Sequence, residues 1–303
     1  MSGRYALQNK LGEGGHGVTY KGFDKITNSS VAVKVVDISK IKQDSELMRE
    51  IMDEVNIARY LGKSGCNRYM ACLLDNFQGK FKGINSLFIV SEFVPGLTLH
   101  DFLNSNPGVL NSHFLWSVFL QLILGLKFIH DKGVAHRDIK LTNILITPKS
   151  QIKYIDFGIS CNRRCDESFC TDFCQDKGSG TTLYMAPEDF TSGMGNTALA
   201  MARDVWSLSV VMYQLCNQKR YPFNLRDQNG NYLSPEGVAK NIVSQSFPSN
   251  YSGDDGRTNE FMKQLLEYGK PISKRSKIDQ LLAYQVEEIM AKPASDDVRG
   301  IVF

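Results

Sequence analysis

The chain is short of charge imbalance, of uninterrupted apolar sequence and of repetition, and each shortage narrows what it can be. With 35 Lys and Arg against 32 Asp and Glu, the formal net charge of its 303 residues is only +3. No global electrostatic footprint therefore favours nucleic acid or a membrane surface as a partner. The most apolar stretch, FLWSVFLQLILGLKFI at residues 114–129, is broken by Ser117, Gln121 and Lys127. It falls short of the ~20 apolar residues that cross a bilayer, and is expected as a buried helix. The opening MSGRYALQNK lacks the apolar core of a signal peptide. Seven cysteines, an odd number, then read as reduced thiols. The expected setting is intracellular and soluble, in cytoplasm or nucleus. No internal repeat or low-complexity tract is present.

What remains is ordinary globular composition, 42% hydrophobic and 22% charged, in a chain long enough for about two domains and a large core. VAVKVV at residues 31–36 is β-branched, and SLFIVSEFV at 86–94 reads as a second strand. Between them SELMREIMDEVNIARYLG places Leu47, Met48, Ile51, Val55, Ala58 and Leu61 at helical spacing. Helices dominate after Val94-Pro95-Gly96, where two turn formers follow a strand. A small β-rich region thus precedes a larger helical one.

LGEGGHGVTYKG sets Gly12, Gly14 and Gly17 in G-x-G-x-x-G. Glycines let backbone N–H groups approach phosphate oxygens without a Cβ in the way. A dinucleotide site needs a helix directly afterwards, whereas Val18, Thr19 and Tyr20 continue as a strand. That weighs against a nicotinamide-dependent oxidoreductase and for a β-hairpin closing over phosphates. Lys34 within VAVK is either a solvent-facing strand lysine or one that pairs with phosphates and is held by a helix carboxylate. Glu54, 20 residues on, is the best holder, with Glu50 as runner-up.

AHRDIKLTNIL, residues 135–145, contains H-R-D-x-K-x-x-N, and Asp156-Phe157-Gly158 follows. Here the sequence resembles the eukaryotic-type protein kinase family, of serine/threonine type, over nearly the whole chain. The resemblance implies an α+β, bilobal protein-kinase-like fold, with a small antiparallel β-rich N-lobe carrying one helix and a larger, mainly helical C-lobe. Residues 1–94 would form the N-lobe and 95–303 the C-lobe, together one kinase domain. It further implies an enzyme moving the γ-phosphate of ATP to Ser/Thr hydroxyls of proteins, with magnesium or manganese. Asp138 would be the base, Lys140 would offset phosphoryl charge, and Asn143 and Asp156 would hold the metal. ATP would meet Leu11, Gly12, Gly14, Gly17, Thr19, Lys34 and Glu54, and the hinge backbone at Glu92 and Val94. Ser91 falls at the gatekeeper position. GTTLYMAPE at 180–188 resembles the end of an activation segment, Asp204 a brace of the catalytic loop, and Arg275 the partner of Glu188. Neither nucleic acid nor membrane is an expected partner, and oligomeric state stays open.

The rival readings are a pseudokinase scaffold, disfavoured because Lys34, Asp138, Asn143 and Asp156 are all present, and a small-molecule kinase, disfavoured by GTTLYMAPE. Thr19, Ala58, Thr182 and Ser209 depart from the family's usual residues. The activation segment departs most, with Cys161, Cys165, Cys170 and Cys174 in C-x3-C-x4-C-x3-C. Free thiols are the plain reading, and zinc ligation by all four, or a redox clamp, the sharper one. Arg137 implies an anionic loop partner, from Asp172, Asp176 or phosphorylated Thr171 or Ser179. Alternatively the cysteines order the loop without phosphate.

Overall fold

The computed structural model describes residues 3–14, 17–39, 45–108, 110–165, 170–172, 174, 180–191 and 196–244, with backbone alone at 45–47, 50, 163–165, 170–172 and 191. The chain divides into two compact units, Met1–Pro95 with Ile155–Ser160, and Gly96–Tyr154 with Cys161–Phe303.

The first unit holds β1 (Tyr5–Gly14), β2 (Gly17–Asp24), β3 (Ser29–Asp37), α1 (Ser45–Gly62), β4 (Leu73–Phe81) and β5 (Ile84–Glu92). They form one antiparallel sheet in the order β1-β2-β3-β5-β4. Side chains alternate across a strand, so VAVKVV sorts its residues to two faces. Val31, Val33 and Val35 join Tyr5, Phe88 and Val90 on one. There Tyr5 stacks on Phe77 at 5.6 Å and Phe77 on Phe88 at 4.8 Å. The other face offers Val36, Leu87 and Ile89 to Ile51 and Val55 of α1. Burying each such side chain contributes roughly 1.5–3 kcal/mol, and this is what seats the helix.

The start of β1 is pinned by polar groups. Arg4 forks onto Asp24 (Nε–Oδ1 2.9 Å, Nη2–Oδ2 2.7 Å), and the Tyr5 hydroxyl donates to Asp75 Oδ2 at 2.9 Å. The Arg4 guanidinium holds the Asp24 carboxyl well below the usual carboxylate range. Burial, and then the bond to Asp75, pushes the Tyr5 phenol up to about 12. Contrary to the expectation of reduced thiols, Cys66 and Cys72 are joined as a disulfide across the α1–β4 connection.

The second unit contains β6 (Leu97–Thr98), α2 (Leu99–Ser105), α3 (Ser112–Asp131), β7 (Val134–Ala135), β8 (Ile144–Ile146), β9 (Ile152–Tyr154), β10 (Cys161–Cys165), β11 (Cys170–Asp172), α4 (Pro187–Thr191), α5 (Thr197–Cys216) and α6 (Pro235–Ser244). Its strands make two small sheets, β6-β8-β9 and β11-β10-β7. Asn111 caps α3, its side-chain oxygen accepting from the His113 and Phe114 amides. By length and composition α3 is the one helix among the described residues suited to crossing a bilayer. Here ten of its residues, among them Phe119, Leu122, Ile123 and Leu126, are buried inside the unit. Helix α5 is buried on every side from Asp204 to Cys216, which a surface helix never is. Asp204 therefore sits in the middle of the unit.

Candidate active site

In the first unit the phosphate-binding candidates fall in one row across the sheet. Gly12 pairs with Thr19, Thr19 with Lys34, and Lys34 with Ile89. Paired residues share a face, so Thr19 and Lys34 lie on the face that receives α1. The next row, Lys21, Ala32 and Ser91, lies on the same face. Gly17 opens β2 rather than a helix. A Cβ there would collide with the Val35 carbonyl oxygen, whereas one on Gly12 or Gly14 would meet nothing within 4 Å. The loop is thus tight at its base and open above Gly12 and Gly14.

Lys34 Nζ meets both carboxylate oxygens of Glu54 at 2.8 Å. It also lies 3.6 Å from Asp156 Oδ1, because residues 155–160 return to this unit. Burial alone would lower the lysine's pKa; the charges of Glu54 and Asp156 outweigh it and leave the ammonium raised. Glu54 is only 6% exposed, beside Ile51 and Val55. The side chains of Glu46 and Glu50 lie outside the described ones. A Cβ on Gly158 would lie 3.1 Å from Asp156 Oδ1, so that carboxylate would have to give by a few tenths of an ångström, and 3.5 Å from Glu54 Oε2, an ordinary contact.

In the second unit Asp138 is the hub of a four-residue network. Its Oδ2 accepts from Asn143 Nδ2 and from Lys140 Nζ, each at 2.8 Å. Its Oδ1 accepts from the Thr181 hydroxyl at 2.9 Å, and that hydroxyl accepts from Lys140 Nζ at 2.9 Å. Charge-assisted bonds of this length fix orientation. The backbone beneath is held by Asp204, whose two oxygens accept the His136 and Arg137 amides at 2.7 Å each. His130 Nε2 adds a third contact to Asp204, at 3.0 Å. Arg137 adopts a left-handed backbone, φ 69°, which costs about 1–3 kcal/mol and is sustained by those two bonds. Thr181 as the bridge between Asp138 and Lys140 had no signal in spacing, being far away in sequence, and neither had His130.

A family model described as protein kinase domain matches residues 5–286. The chain belongs to the protein kinase domain family. It is 32% identical over 222 residues to the serine/threonine-protein kinase stk11 homolog of Dictyostelium discoideum, covering 73% of this chain and 36% of that one. It is 27% identical over 281 residues to a probable serine/threonine-protein kinase, CCRP1, of Zea mays, covering 93% and 41%. A calcium/calmodulin-dependent protein kinase kinase of Caenorhabditis elegans is 26% identical over 231 residues, covering 69% and 40%. This kinase chain therefore spans less than half the length of those relatives.

The family implies ATP and magnesium, and the residues fit both. Among the described residues the Val94 backbone N–H and C=O take no hydrogen-bond partner, as an adenine edge requires. Asn143 spends its amide nitrogen on Asp138, which leaves a carbonyl oxygen, and Asp156 brings a carboxylate 45% exposed. Hard oxygens are what magnesium takes. Zinc does not fit. Cys161 and Cys174 are bonded to each other as a disulfide and have no thiolates to give, which corrects for this pair both the plain reading of free thiols and the sharper one of zinc ligation by all four cysteines. Among the described residues no group of three or more His, Cys, Asp or Glu could hold a metal. Side chains of Cys165, Cys170, Thr171 and Asp172, and all of Asp176, Lys177, Ser179 and Arg275, lie outside the described residues. Glu188 is buried, 6% exposed.

Proposed function

We propose that this chain is an ATP- and magnesium-dependent serine/threonine protein kinase that transfers the γ-phosphoryl group to hydroxyls of protein substrates. The observation that carries the reading is the network around Asp138. A carboxylate that takes a proton must be aimed, and three donors from Lys140, Asn143 and Thr181 aim it. When bound, the magnesium nucleotide supplies the transferable phosphoryl group. Asp138 receives the proton of the attacking hydroxyl, and Lys140, 2.8 Å from it, offsets negative charge developing beside it. Lys34, kept charged by Glu54, offers an ammonium to phosphate oxygens. Leu11, Gly12, Gly14, Gly17 and Thr19 supply the loop and strand over the nucleotide, with the Glu92 and Val94 backbone for its base. Lys140 bonded to Thr181 supports the serine/threonine preference.

The test is transfer of labelled phosphate to casein with magnesium, followed by phosphoamino acid analysis. Asp138→Asn should lose about 10²–10⁴-fold, the usual worth of a positioned base, with label on serine or threonine only in the parent. Equal activity in both proteins would overturn the assignment.

A further inference from the structure

The four activation-segment cysteines have a symmetric spacing that neither zinc nor free thiols explain. Strands β10 and β11 supply the reason. Arg163 pairs with Asp172, Arg164 with Thr171 and Cys165 with Cys170. In an antiparallel hairpin the numbers of paired residues have a constant sum, and 161 with 174 continues that series. Cys161 and Cys174 are thus brought together at the base of a hairpin by its register, and the disulfide closes it.

What the disulfide touches matters more than the loop it closes. Cys161 is 4% exposed and Cys174 2%, and they pack in one cluster with Ala135 and Ala200, flanked by Met201. Cys161 pairs with Ala135 and Asn162 with Val134 on β7. The next residue after Ala135 is His136, whose amide is one of the two that Asp204 holds. The chain reaches Asp138 two residues later. Two alanines contribute little bulk, so the two sulfurs are the filling of this cluster. Separate thiols cannot approach closer than van der Waals contact, about 3.5–4 Å between such atoms. A space cut for one covalent bond does not take them unmoved, and close-packed interiors transmit such strain.

We propose that the Cys161–Cys174 disulfide is a redox-controlled clamp that holds the activation segment against β7 and thereby sets the catalytic loop, in place of a phosphate on the segment. The proposal rests on the kinase reading above for its functional consequence. Formation is a two-electron oxidation. The Cys161 and Cys174 thiols lose two protons and two electrons, the S–S bond forms, and glutathione disulfide, as oxidant, is reduced to two glutathione thiols. A dithiol such as dithiothreitol reverses it by exchange, opening the protein bond and closing its own ring. Because both sulfurs are buried, exchange proceeds through local opening and takes minutes to hours rather than seconds.

The full chain is equilibrated with glutathione disulfide or with dithiothreitol, and the Cys161–Cys174 linkage is scored by alkylation and mass spectrometry. Two readouts follow. One is casein phosphorylation, and the other is hydrogen exchange at the amides of Val134–Ala135 and Cys161. Oxidised protein should phosphorylate casein at least 10-fold faster than reduced protein, and reduction should speed exchange at those amides at least 10-fold. Cys161→Ser/Cys174→Ser should behave as reduced in both buffers, while Cys66→Ser/Cys72→Ser should keep the full response. If the double variant at 161 and 174 does not fold, the parent's two buffers and the 66/72 control decide the matter. Failure of the linkage to form in glutathione disulfide, equal rates and exchange in both states, or a response that disappears with Cys66 and Cys72, each overturns the clamp. Absence of transfer in every state would instead remove the kinase reading. The exchange readout alone then supports the clamp if reduction speeds it, and rejects the clamp if it does not.

Discussion

Lys34 owes its environment to two carboxylates that reach it from different parts of the chain, Glu54 from α1 and Asp156 from the returning segment. Replacing Glu54 by Ala leaves a largely buried ammonium with the more distant partner only. Breaking one side of a buried pair costs roughly 3–5 kcal/mol, and the lower end is expected because Asp156 remains. Urea unfolding measures that loss, and kcat/KM for ATP should fall with it by at least 10-fold; an unchanged midpoint would show that the pair does not stabilise this unit. Ser91 lies in the row beside Lys34, between Ala32 and Leu73, and its short side chain leaves room where most residues would not. Adenine analogues carrying a bulky substituent on the exocyclic amine should inhibit the parent, and Ser91→Met should weaken that inhibition at least 10-fold while leaving ATP turnover measurable. Identical inhibition curves would rule out the open space.

Elements were legible where a single periodicity governed them. The β-branched run at 31–36 marked β3, and the sheet forms there because one face of β3 packs on aromatics and the other on α1. The spacing of Met48, Ile51 and Val55 marked α1, which spans Ser45–Gly62. Three things escaped. Asp156 lies with the β-rich unit, a tertiary return that no local pattern encodes. The family resemblance joins Thr181 with Lys140 as a mark of serine/threonine kinases, but the bond from its hydroxyl to Asp138, 43 residues away, has no sign in the spacing. The cysteines obeyed a hairpin register, and a symmetric x3-x4-x3 spacing is the sign that could have revealed it. Gly17 belongs to this scale as well, since its missing Cβ lets β2 lie against the Val35 carbonyl. Gly17→Ala must part β2 from β3, a forced fit of the kind that costs about 1–3 kcal/mol. Thermal melting should register it, while Gly12→Ala, with open space around it, should melt like the parent.

Stability against pH is a property of the whole molecule, and the cluster at the start of β1 shapes both ends of its profile. The Tyr5 phenol is pushed up to about 12 from an ordinary value near 10. Between those values the unfolded chain gives up this proton and the folded one keeps it. Its contribution is complete below about pH 10 and is lost as pH climbs toward about 12. The stability difference between the parent and Tyr5→Phe should therefore change in the parent's disfavour across that window. A constant difference would refute the shift. Asp24 acts oppositely, since its lowered value adds stability above the ordinary carboxylate pKa that drains away in acid, and Arg4→Met should flatten the acid limb.

Asp204 gives the His136–Asp138 segment its shape from far away in sequence, through two amides and a histidine. A transplant experiment exposes what that means. Residues 135–145 grafted onto a foreign scaffold would carry Asp138, Lys140 and Asn143 and still misaim them, because the two amides that bend the segment are held by a carboxylate on α5. The bend at His136 and Arg137 is therefore portable only as a loop together with the helix that moulds it.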